Sequence, residues 1–189
     1  PSGELFMRWL EFSCFTPLFR NHSIYTSNPR EPWSFGEPYT SLIRQIIQRR
    51  YQWLPYLYTL FEEASRIGRP VLSPTFFYAP GDPATTAQNT EYLLGPNVLV
   101  APVFEAGATN RSLYLPAGSD WIDFWRDTRY SGGQTIVVPA ALGQTPLMEG
   151  LRLTVEFFLG QQEMRARMDV VAQVTDSTPY SSARSDLGL

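Results

Sequence analysis

The spacing of apolar residues near the start of the chain predicts an amphipathic helix that ends before Pro17. Ser2 can cap this helix, and the apolar residues that follow recur every three or four positions. The apolar face consists of Leu5, Phe6, Trp9, Leu10 and Phe12. Three charged residues fall between these positions and are expected to face water, namely Glu4, Arg8 and Glu11.

A second and longer helix is predicted from about Tyr39 to Ile67. Gly68 suits its C-terminal end, and Pro70 follows just beyond. Pro55 lies inside this helix, but the apolar pattern continues in phase across it, so we expect one kinked helix and not two. The predicted apolar stripe consists of Ile43, Ile46, Ile47, Leu54, Leu57, Tyr58 and Phe61.

The stretch between the two helices divides into a short apolar run and a loop. "PLFR", residues 17–20, is expected to form a buried strand. The loop from Asn21 to Pro38 is rich in Ser, Asn, Pro and Gly and contains the single histidine of the chain, His22.

Two residues of the predicted helices raise questions of pairing. Arg50 falls on the apolar stripe and, if buried, is expected to pair with a carboxylate, either in this chain or in sequence that precedes it. Cys14 is the single cysteine, so no intrachain disulfide and no cysteine metal cluster can form. It lies among apolar residues and is expected to be a small buried hydrophobe.

After Gly68 the pattern changes to short β-branched and aromatic runs separated by Gly and Pro, which predicts a β-sandwich. The runs are "PVLSPTFFYA", "EYLLG", "NVLVAPVF", "RSLYLP", "WIDFW" and "QTIVVPA". One further strand is expected at Leu151, Leu153, Val155 and Phe157. The predicted domains are therefore residues 1–68, residues 69–160 and a divergent, disordered tail at residues 161–189.

Composition and charge exclude some function classes. The 189 residues are 43% hydrophobic with a net charge of −3, which argues against a nucleic-acid surface. No apolar run reaches the roughly 18 residues of a membrane span. The chain opens with Pro1 and shows no signal peptide, so it is expected to be the inside of a longer protein.

Several motifs follow one another in an order that resembles glycoside hydrolase family 31, the α-glucosidase and α-xylosidase family. They are "RWLEFSCFTPLFRNHS", "EPWSFGE", "RRYQWLPYLYTLFEEASRIGRPV", "EYLLGPNVLVAPVFEAGATNRSLYLP" and "WIDFW". The likeness runs from about Glu4 to Met148. It implies an α/β plus all-β fold, in which the last part of a (β/α)8 barrel is followed by a partial β-sandwich. By this resemblance, residues 4–15 are the seventh barrel helix, "PLFRNH" is the eighth strand with its exit, and residues 39–67 are the eighth helix.

The same resemblance implies a sugar-binding role for His22 and Arg20. Barrel enzymes act at the C-terminal ends of their strands, and His22 lies just past such an end. Arg20 can hold a hydroxyl or orient a carboxylate. Trp33 and Phe35 either wall the pocket or pack beneath the loop, with packing favoured, and Glu37 is interpreted as a surface or helix-start carboxylate.

The family's reaction is retaining hydrolysis of an α-glycosidic bond by two aspartates, which the resemblance places upstream of this chain. None of Asp82, Asp120, Asp123 and Asp127 matches their motifs, so no catalytic residue is assigned, and no metal or cofactor is expected. The expected partners are an oligosaccharide or α-glucoside substrate and the missing N-terminal part of the same protein. Two alternatives remain open: a family member without hydrolase activity, and a non-catalytic carbohydrate-binding module. The second alternative requires exposed aromatic residues on the sandwich, such as Tyr114, Trp121, Phe124 and Trp125.

Overall fold

The computed structural model describes residues 1–150, which belong to one compact unit. Two α-helices come first, α1 at Gly3–Cys14 and α2 at Tyr39–Ile67. Eight short strands and two 3-10 helices follow. The order of two helices and then strands confirms the sequence prediction. The predictions for a strand beyond residue 150 and for a disordered tail lie outside the described residues.

The ends of the two helices are fixed as the sequence predicts. The Ser2 hydroxyl accepts a hydrogen bond from the Leu5 amide at 3.2 Å and so caps α1. Gly68 ends α2 in the left-handed conformation, with φ of 70°, and its amide donates to the Ala64 carbonyl at 3.0 Å. Helix α2 continues through Pro55 as one element.

The prediction for the two faces of α1 is correct for Phe6 and Leu10, which are buried, and wrong for four other residues. Arg8 and Glu11, which were expected to face water, are buried at 9% and 2% exposure, whereas Leu5 and Trp9 are 59% and 56% exposed. Arg8 reaches across to the sheet region, where it donates to two main-chain carbonyls, while Glu11 accepts from the Gly143 amide. The charged face of α1 is therefore an interface inside the protein.

The predicted stripe of α2 is correct in its first half and shifts after Arg50. The residues buried in α2 are Ile43, Ile46, Arg50, Trp53, Tyr56, Leu57 and Leu60. Trp53 contacts the rings of both Phe15 and Phe124, so this face lies against α1 and the sheet region. The opposite stripe carries Tyr51, Leu54, Tyr58 and Phe61, which are exposed.

Residues 17–20 do not form the strand that the sequence predicts. They have no regular structure, and Leu18 is 70% exposed. A strand requires a neighbour with which to form its hydrogen-bonded ladder, and none of the strands within residues 1–150 pairs with this segment. The segment therefore runs as an extended connection between α1 and the loop.

The eight strands form two antiparallel sheets. Their bounds are β1 Leu72–Ser73, β2 Tyr92–Leu94, β3 Val98–Val100, β4 Asn110–Leu115, β5 Asp120–Asp123, β6 Arg129–Ser131, β7 Gln134–Pro139 and β8 Leu147–Gly150. One sheet has the order β1-β2-β3-β8-β5-β6, and the other pairs β4 with β7. Inward side chains of both sheets share one buried core, which contains Leu93, Leu99, Leu113, Leu115, Trp121, Ile136, Val138 and Met148. This is the packing of a β-sandwich.

The sheet region departs from prediction in two places. The run "PVLSPTFFYA" forms only the two residues of β1 and then a 3-10 helix, Thr75–Phe77. Strands β6 and β8 were not predicted, and β8 is central because it lies between β3 and β5. The sandwich class was thus predictable, but its strand order was not.

Gly95 brings the sheet region close to α2. Its φ is +60°, and a Cβ atom there would lie only 2.6 Å from both Leu60 and the Tyr56 hydroxyl. A side chain there would require Leu60 and the Tyr56 hydroxyl to shift, and the positive φ would add backbone strain. The Tyr56 hydroxyl also donates to the neighbouring Leu94 carbonyl at 2.9 Å. Helix and sheet are therefore in direct contact through a glycine.

Candidate functional site

A cleft of about 440 Å³ lies beside α1 and the start of the loop that follows it. Its lining combines apolar residues of the helix with polar residues of the loop: Pro1, Leu5, Phe6, Trp9, Arg20, Asn21, His22 and Arg30. Both predicted sugar-binding residues thus line one cleft. Leu5 and Trp9 are exposed because they face this space.

Arg20 and His22 contact each other directly. The distance from Arg20 Nη2 to His22 Nδ1 is 2.9 Å, and both side chains are exposed. A guanidinium can only donate, so Nδ1 must accept this hydrogen bond with its lone pair. In that arrangement the ring N–H that can donate is the one on Nε2. The pair then offers a directed N–H donor from His22 together with the charge of Arg20.

A hydrogen bond holds the loop beyond His22 next to Asn21, at the beginning of the loop. Asn21 Nδ2 donates to the Arg30 carbonyl at 2.5 Å, which brings the two sides of the loop together. Arg30 itself lines the cleft, and its Nε is buried without a hydrogen-bond partner among the described residues. Sequence reasoning missed Arg30 and the exposed Trp9, because charge and periodicity do not show which residues border a cleft.

The other candidates from the same loop have structural roles or face outward. The Phe35 ring stacks on Phe6 with centroids 4.7 Å apart, so it packs beneath the loop. Trp33 is 69% exposed and does not line the cleft. Glu37 accepts from the Ser41 hydroxyl at 2.9 Å and from the Ser41 amide at 3.3 Å, which confirms its helix-start role.

The backbone leading to the site is held by Arg50 and not by a strand ladder. Arg50 donates to the carbonyls of Cys14, Thr16 and Pro17 at 2.8, 2.5 and 3.1 Å. The prediction of a carboxylate partner is therefore wrong for the described residues. Burial lowers the pKa of Arg50 from its usual value.

Cys14 is buried as predicted, and burial raises the pKa of its thiol to about 12, so it is inert as a nucleophile.

A buried ion pair joins α1 to the sheet region. Arg8 Nη1 lies 3.1 Å from Glu11 Oε2, and Arg8 Nη2 donates to the carbonyls of Ala108 and Ala140 at 2.8 and 3.2 Å. The Gly143 amide donates to the other oxygen of Glu11. Burial raises the pKa of Glu11 although these partners oppose the shift. The arrangement is a structural link that positions α1, and with it the cleft.

Three aspartates of the sheet region, Asp82, Asp120 and Asp123, form hydrogen bonds or ion pairs within the protein. Asp82 accepts from the Tyr114 hydroxyl and from the Ala117 amide, and the latter bond is the largest cause of its lowered pKa. Asp120 pairs with Arg129 at 2.5 Å, and Asp123 pairs with Arg126 at 3.0 Å. None of them lines the cleft.

The aromatic residues required by a carbohydrate-binding module are engaged inside the protein. Trp121 is 4% exposed, and Phe124 packs on Trp53. Trp125 Nε1 donates to the Thr145 carbonyl at 2.8 Å, and its ring lies beneath Arg49, 4.3 Å from the guanidinium carbon. Tyr114 is half-buried and bonded to Asp82. This set presents no flat aromatic surface for a sugar.

Residues 1–150 contain neither of two further kinds of site. No helix there is long and apolar enough to cross a membrane. No group of three or more His, Cys, Asp or Glu residues in that range is arranged to hold a metal ion.

Two family models match the chain in succession. The model "Glycosyl hydrolases family 31 TIM-barrel domain" matches residues 1–60, and "Glycosyl hydrolase family 31 C-terminal domain" matches residues 68–149. The boundary between them falls at the end of α2, where the sequence changes from helical to strand-rich.

Individual relatives and solved structures agree with this match. The chain is 44% identical over 146 residues to Alpha-glucosidase 2 of Bacillus thermoamyloliquefaciens, which covers 77% of this chain and 18% of that protein. A dextranase structure from Flavobacterium johnsoniae matches with a TM-score of 0.74 and 41% identity, over 78% of this chain and 18% of that one. An α-xylosidase structure from Xanthomonas citri matches with a TM-score of 0.73 and 36% identity, over 78% and 16%.

The similarity therefore covers most of this chain but only a small part of each relative, between 16% and 18% of its length in these three cases. The matched part is the end of the barrel domain together with the C-terminal domain. On these grounds the chain belongs to glycosyl hydrolase family 31.

Proposed function

We propose that this chain is part of a retaining α-glycosidase that hydrolyses terminal α-glucosidic or α-xylosidic bonds, and that it supplies one side of the sugar pocket. The observation that carries the proposal is the Arg20–His22 contact at the rim of the cleft. The family assignment supports the reaction class, and the contact supports the role of these two residues.

The chemistry of the pair suits a neutral polyol ligand. With Nδ1 engaged by Arg20, the Nε2–H of His22 is available to donate to a sugar hydroxyl. A guanidinium has five N–H donors, so Arg20 can bond a second hydroxyl or a carboxylate while it holds the imidazole. Leu5, Phe6 and Trp9 provide an apolar wall opposite these donors. Sites with an apolar wall and a few directed polar groups are typical of small-ligand pockets.

We place α1 and α2 as the seventh and eighth helices of the barrel, with residues 17–20 at the position of the eighth strand. Active sites of such barrels lie at the C-terminal ends of the strands, and Arg20 and His22 follow that end. In this arrangement the segment acquires its ladder only when the preceding barrel strands lie beside it. That requirement explains why it is irregular within residues 1–150.

Retaining hydrolysis requires two carboxyl groups about 5–5.5 Å apart, one as nucleophile and one as acid and base. We propose that both come from sequence that precedes residue 1 and that this N-terminal part is the chain's principal partner. Asp82, Asp120 and Asp123 are engaged elsewhere, as described above. What this chain does in the reaction is to bind and orient the sugar ring.

The substrate proposal is led by terminal α-glucosides. The relatives that resemble this chain to a similar degree include an α-glucosidase, a dextranase and an α-xylosidase. They differ in substrate although they share the region matched here. Membership of the family over this region therefore does not by itself fix linkage or chain length.

The test is the His22→Ala variant of the intact enzyme that carries this chain. Loss of the hydrogen bond that His22 donates to the bound sugar should weaken transition-state binding by about 1–3 kcal/mol. The measurement is kcat/KM on a chromogenic α-glucoside. Tyr25→Ala is the matched control, because Tyr25 lies in the same loop, is fully exposed and does not line the cleft. An unchanged kcat/KM for His22→Ala would remove His22 from the site.

A second experiment separates sugar binding from catalysis. The purified 189-residue chain should show no turnover of the same chromogenic substrate, because it lacks the carboxyl pair. Measurable turnover would contradict the placement of the catalytic aspartates. Finding the two aspartates in the upstream gene would, in turn, exclude the alternative of a family member without hydrolase activity.

A further inference from the structure

The end of α1 and the segment after it have every carbonyl from Phe12 to Pro17 occupied by a donor. Local amides serve the first two, since Phe15 N donates to the Phe12 carbonyl and Thr16 N donates to the Ser13 carbonyl. The next four carbonyls are served by two distant side chains. Arg50 takes those of residues 14, 16 and 17, and the Tyr92 hydroxyl donates to that of Phe15 at 3.1 Å.

The two donors come from different parts of the fold. Arg50 lies on α2 and Tyr92 lies in β2 of the six-stranded sheet. Arg50 is 8% exposed, and within residues 1–150 it forms no ion pair, so its charge is directed at these carbonyls. Its planar fork can reach several acceptors at once, which a lysine ammonium cannot reproduce in the same geometry.

The clamped backbone leads directly to the sugar-contacting residues. Only Leu18 and Phe19 separate Pro17 from Arg20, and Arg50 also lies 5.7 Å from the centroid of the Phe19 ring. Residues 17–20 have no strand ladder within residues 1–150, so in the described part of the chain Arg50 supplies the long-range hydrogen bonds at the start of this segment. Movement at Pro17 would be transmitted to Arg20 and His22 through a short extended segment.

We propose that Arg50 and Tyr92 are positioning residues that hold the backbone before Arg20 and His22, so that the sheet region helps to orient the sugar pocket. The proposal concerns residues that do not themselves line the cleft. Its effect on sugar binding rests on the function proposed above, whereas the clamp itself does not.

The kinetic test is a double-mutant cycle in the intact enzyme with a chromogenic α-glucoside. Tyr92→Phe removes only a hydroxyl and should lower kcat/KM by roughly threefold to tenfold, while Arg50→Met should lower it by roughly tenfold to a hundredfold. Arg50→Lys should recover part of that loss. In a background that lacks both positioned side chains, Arg20→Met combined with His22→Ala, both effects on kcat/KM should largely disappear.

Matched controls exclude a general loss of stability. Tyr58→Phe and Arg44→Met make the same chemical changes at exposed positions of α2 and should leave kcat/KM unchanged. Full effects of Tyr92→Phe and Arg50→Met in the background that lacks Arg20 and His22 would overturn the positioning role. That result would mean that the two residues act on activity without acting through either positioned side chain.

Hydrogen–deuterium exchange of the 189-residue chain tests the clamp without any activity. The peptide that contains the Phe15 and Thr16 amides should exchange about tenfold faster in Arg50→Met, whereas a peptide from β7 should not change. Unchanged exchange at residues 15 and 16 in both Arg50→Met and Tyr92→Phe would overturn the clamp. If exchange rises but His22→Ala has no effect on kcat/KM, the function of the site fails while the clamp stands.

Discussion

The helical region, residues 1–68, and the sheet region, residues 69–150, distribute polarity in opposite ways. In the sheet region, alternating apolar side chains meet in a closed core, and the buried acids Glu91 and Asp123 each have an arginine partner. In the helical region, Arg8, Glu11 and Arg50 are buried while large apolar side chains are exposed. The exposed set includes Leu5, Trp9, Tyr51, Leu54, Tyr58 and Phe61.

The difference shows that the helical region has one completed side and one open side. Its charged side is completed by main-chain groups of the sheet region and of the segment after α1. Its apolar side, within the described residues, has no element packed on it that would bury the stripe of α2. The sheet region buries its apolar side chains in a core of its own. The helical region finds hydrogen-bond partners for the buried charges of α1 in the sheet region and leaves part of its apolar surface exposed.

Removing the buried acid of α1, Glu11, is the most direct test of whether the buried charges of the helical region stabilise the fold. Glu11→Ala leaves Arg8 without its carboxylate and the Gly143 amide without its acceptor. The free energy of unfolding should fall by about 3–5 kcal/mol. Glu62→Ala is the control, because it removes an exposed partner of Arg66 and should cost at most about 1 kcal/mol. Similar losses for both variants, measured by urea denaturation, would contradict the structural importance of the buried pair.

Truncating one leucine in each region tests the contrast between closed and open apolar surfaces. Leu113→Ala opens a cavity in the sandwich core and should cost about 2–5 kcal/mol. Leu54→Ala changes a residue that is 42% exposed on α2 and should cost well under half of that. Equal destabilisation of the two variants in urea denaturation would show that the α2 stripe is covered in solution.

The pH dependence of stability offers a finer test of the buried acid. Because burial raises the pKa of Glu11 in the folded state, the folded protein holds its proton more tightly than the unfolded chain does. The resulting stabilisation is complete below the unfolded pKa near 4.5 and is lost as pH rises through the folded value. Relative to Glu11→Gln, the wild-type chain should therefore lose stability as pH rises from 4. If the difference in the free energy of unfolding between the two proteins stays constant over this range, folding does not change the pKa of Glu11.

The smallest expected effect on stability comes from the exposed tyrosines of α2. Tyr51→Gln combined with Tyr58→Gln should change the free energy of unfolding by less than about 0.5 kcal/mol per site. The same double variant should reduce self-association in sedimentation velocity, because a contiguous apolar stripe favours contacts between molecules. If the wild-type chain is monomeric under the same conditions, the apolar stripe of α2 does not cause self-association.

The sequence predicts those parts of the fold that depend on local pattern. The bounds of α2, the end at Gly68 and the burial of Cys14 follow from periodicity and residue type. The faces of α1 could not be read in this way, because the partners of Arg8 and Glu11 are main-chain groups more than 90 residues away. Charged residues on a helix are ordinarily hydrogen-bonded to water. In α1, carbonyl and amide groups of the sheet region form those hydrogen bonds instead.

The same reasoning explains what could be known of the site. His22 and Arg20 were found through their place in a recognisable motif, and the structure brings them into contact. Arg30 carries no such signal. The targets of Arg50 were missed because they are carbonyls, which every residue possesses, so sequence cannot distinguish the three that are used. Strand β6, a three-residue edge strand, lacks the alternation that would identify it.

Gly95 allows the sheet region and α2 to pack closely together. Because this residue has only a hydrogen atom in place of a side chain, Leu60 and the Tyr56 hydroxyl of α2 can lie directly against it. Any larger substituent would require the Leu60 side chain and the Tyr56 hydroxyl to move. Arg50 lies on the same helix as Tyr56 and Leu60, so the helix that carries its guanidinium is the one that Gly95 lets the sheet region approach. A position with no side chain thus contributes to the placement of the helix that carries the clamp.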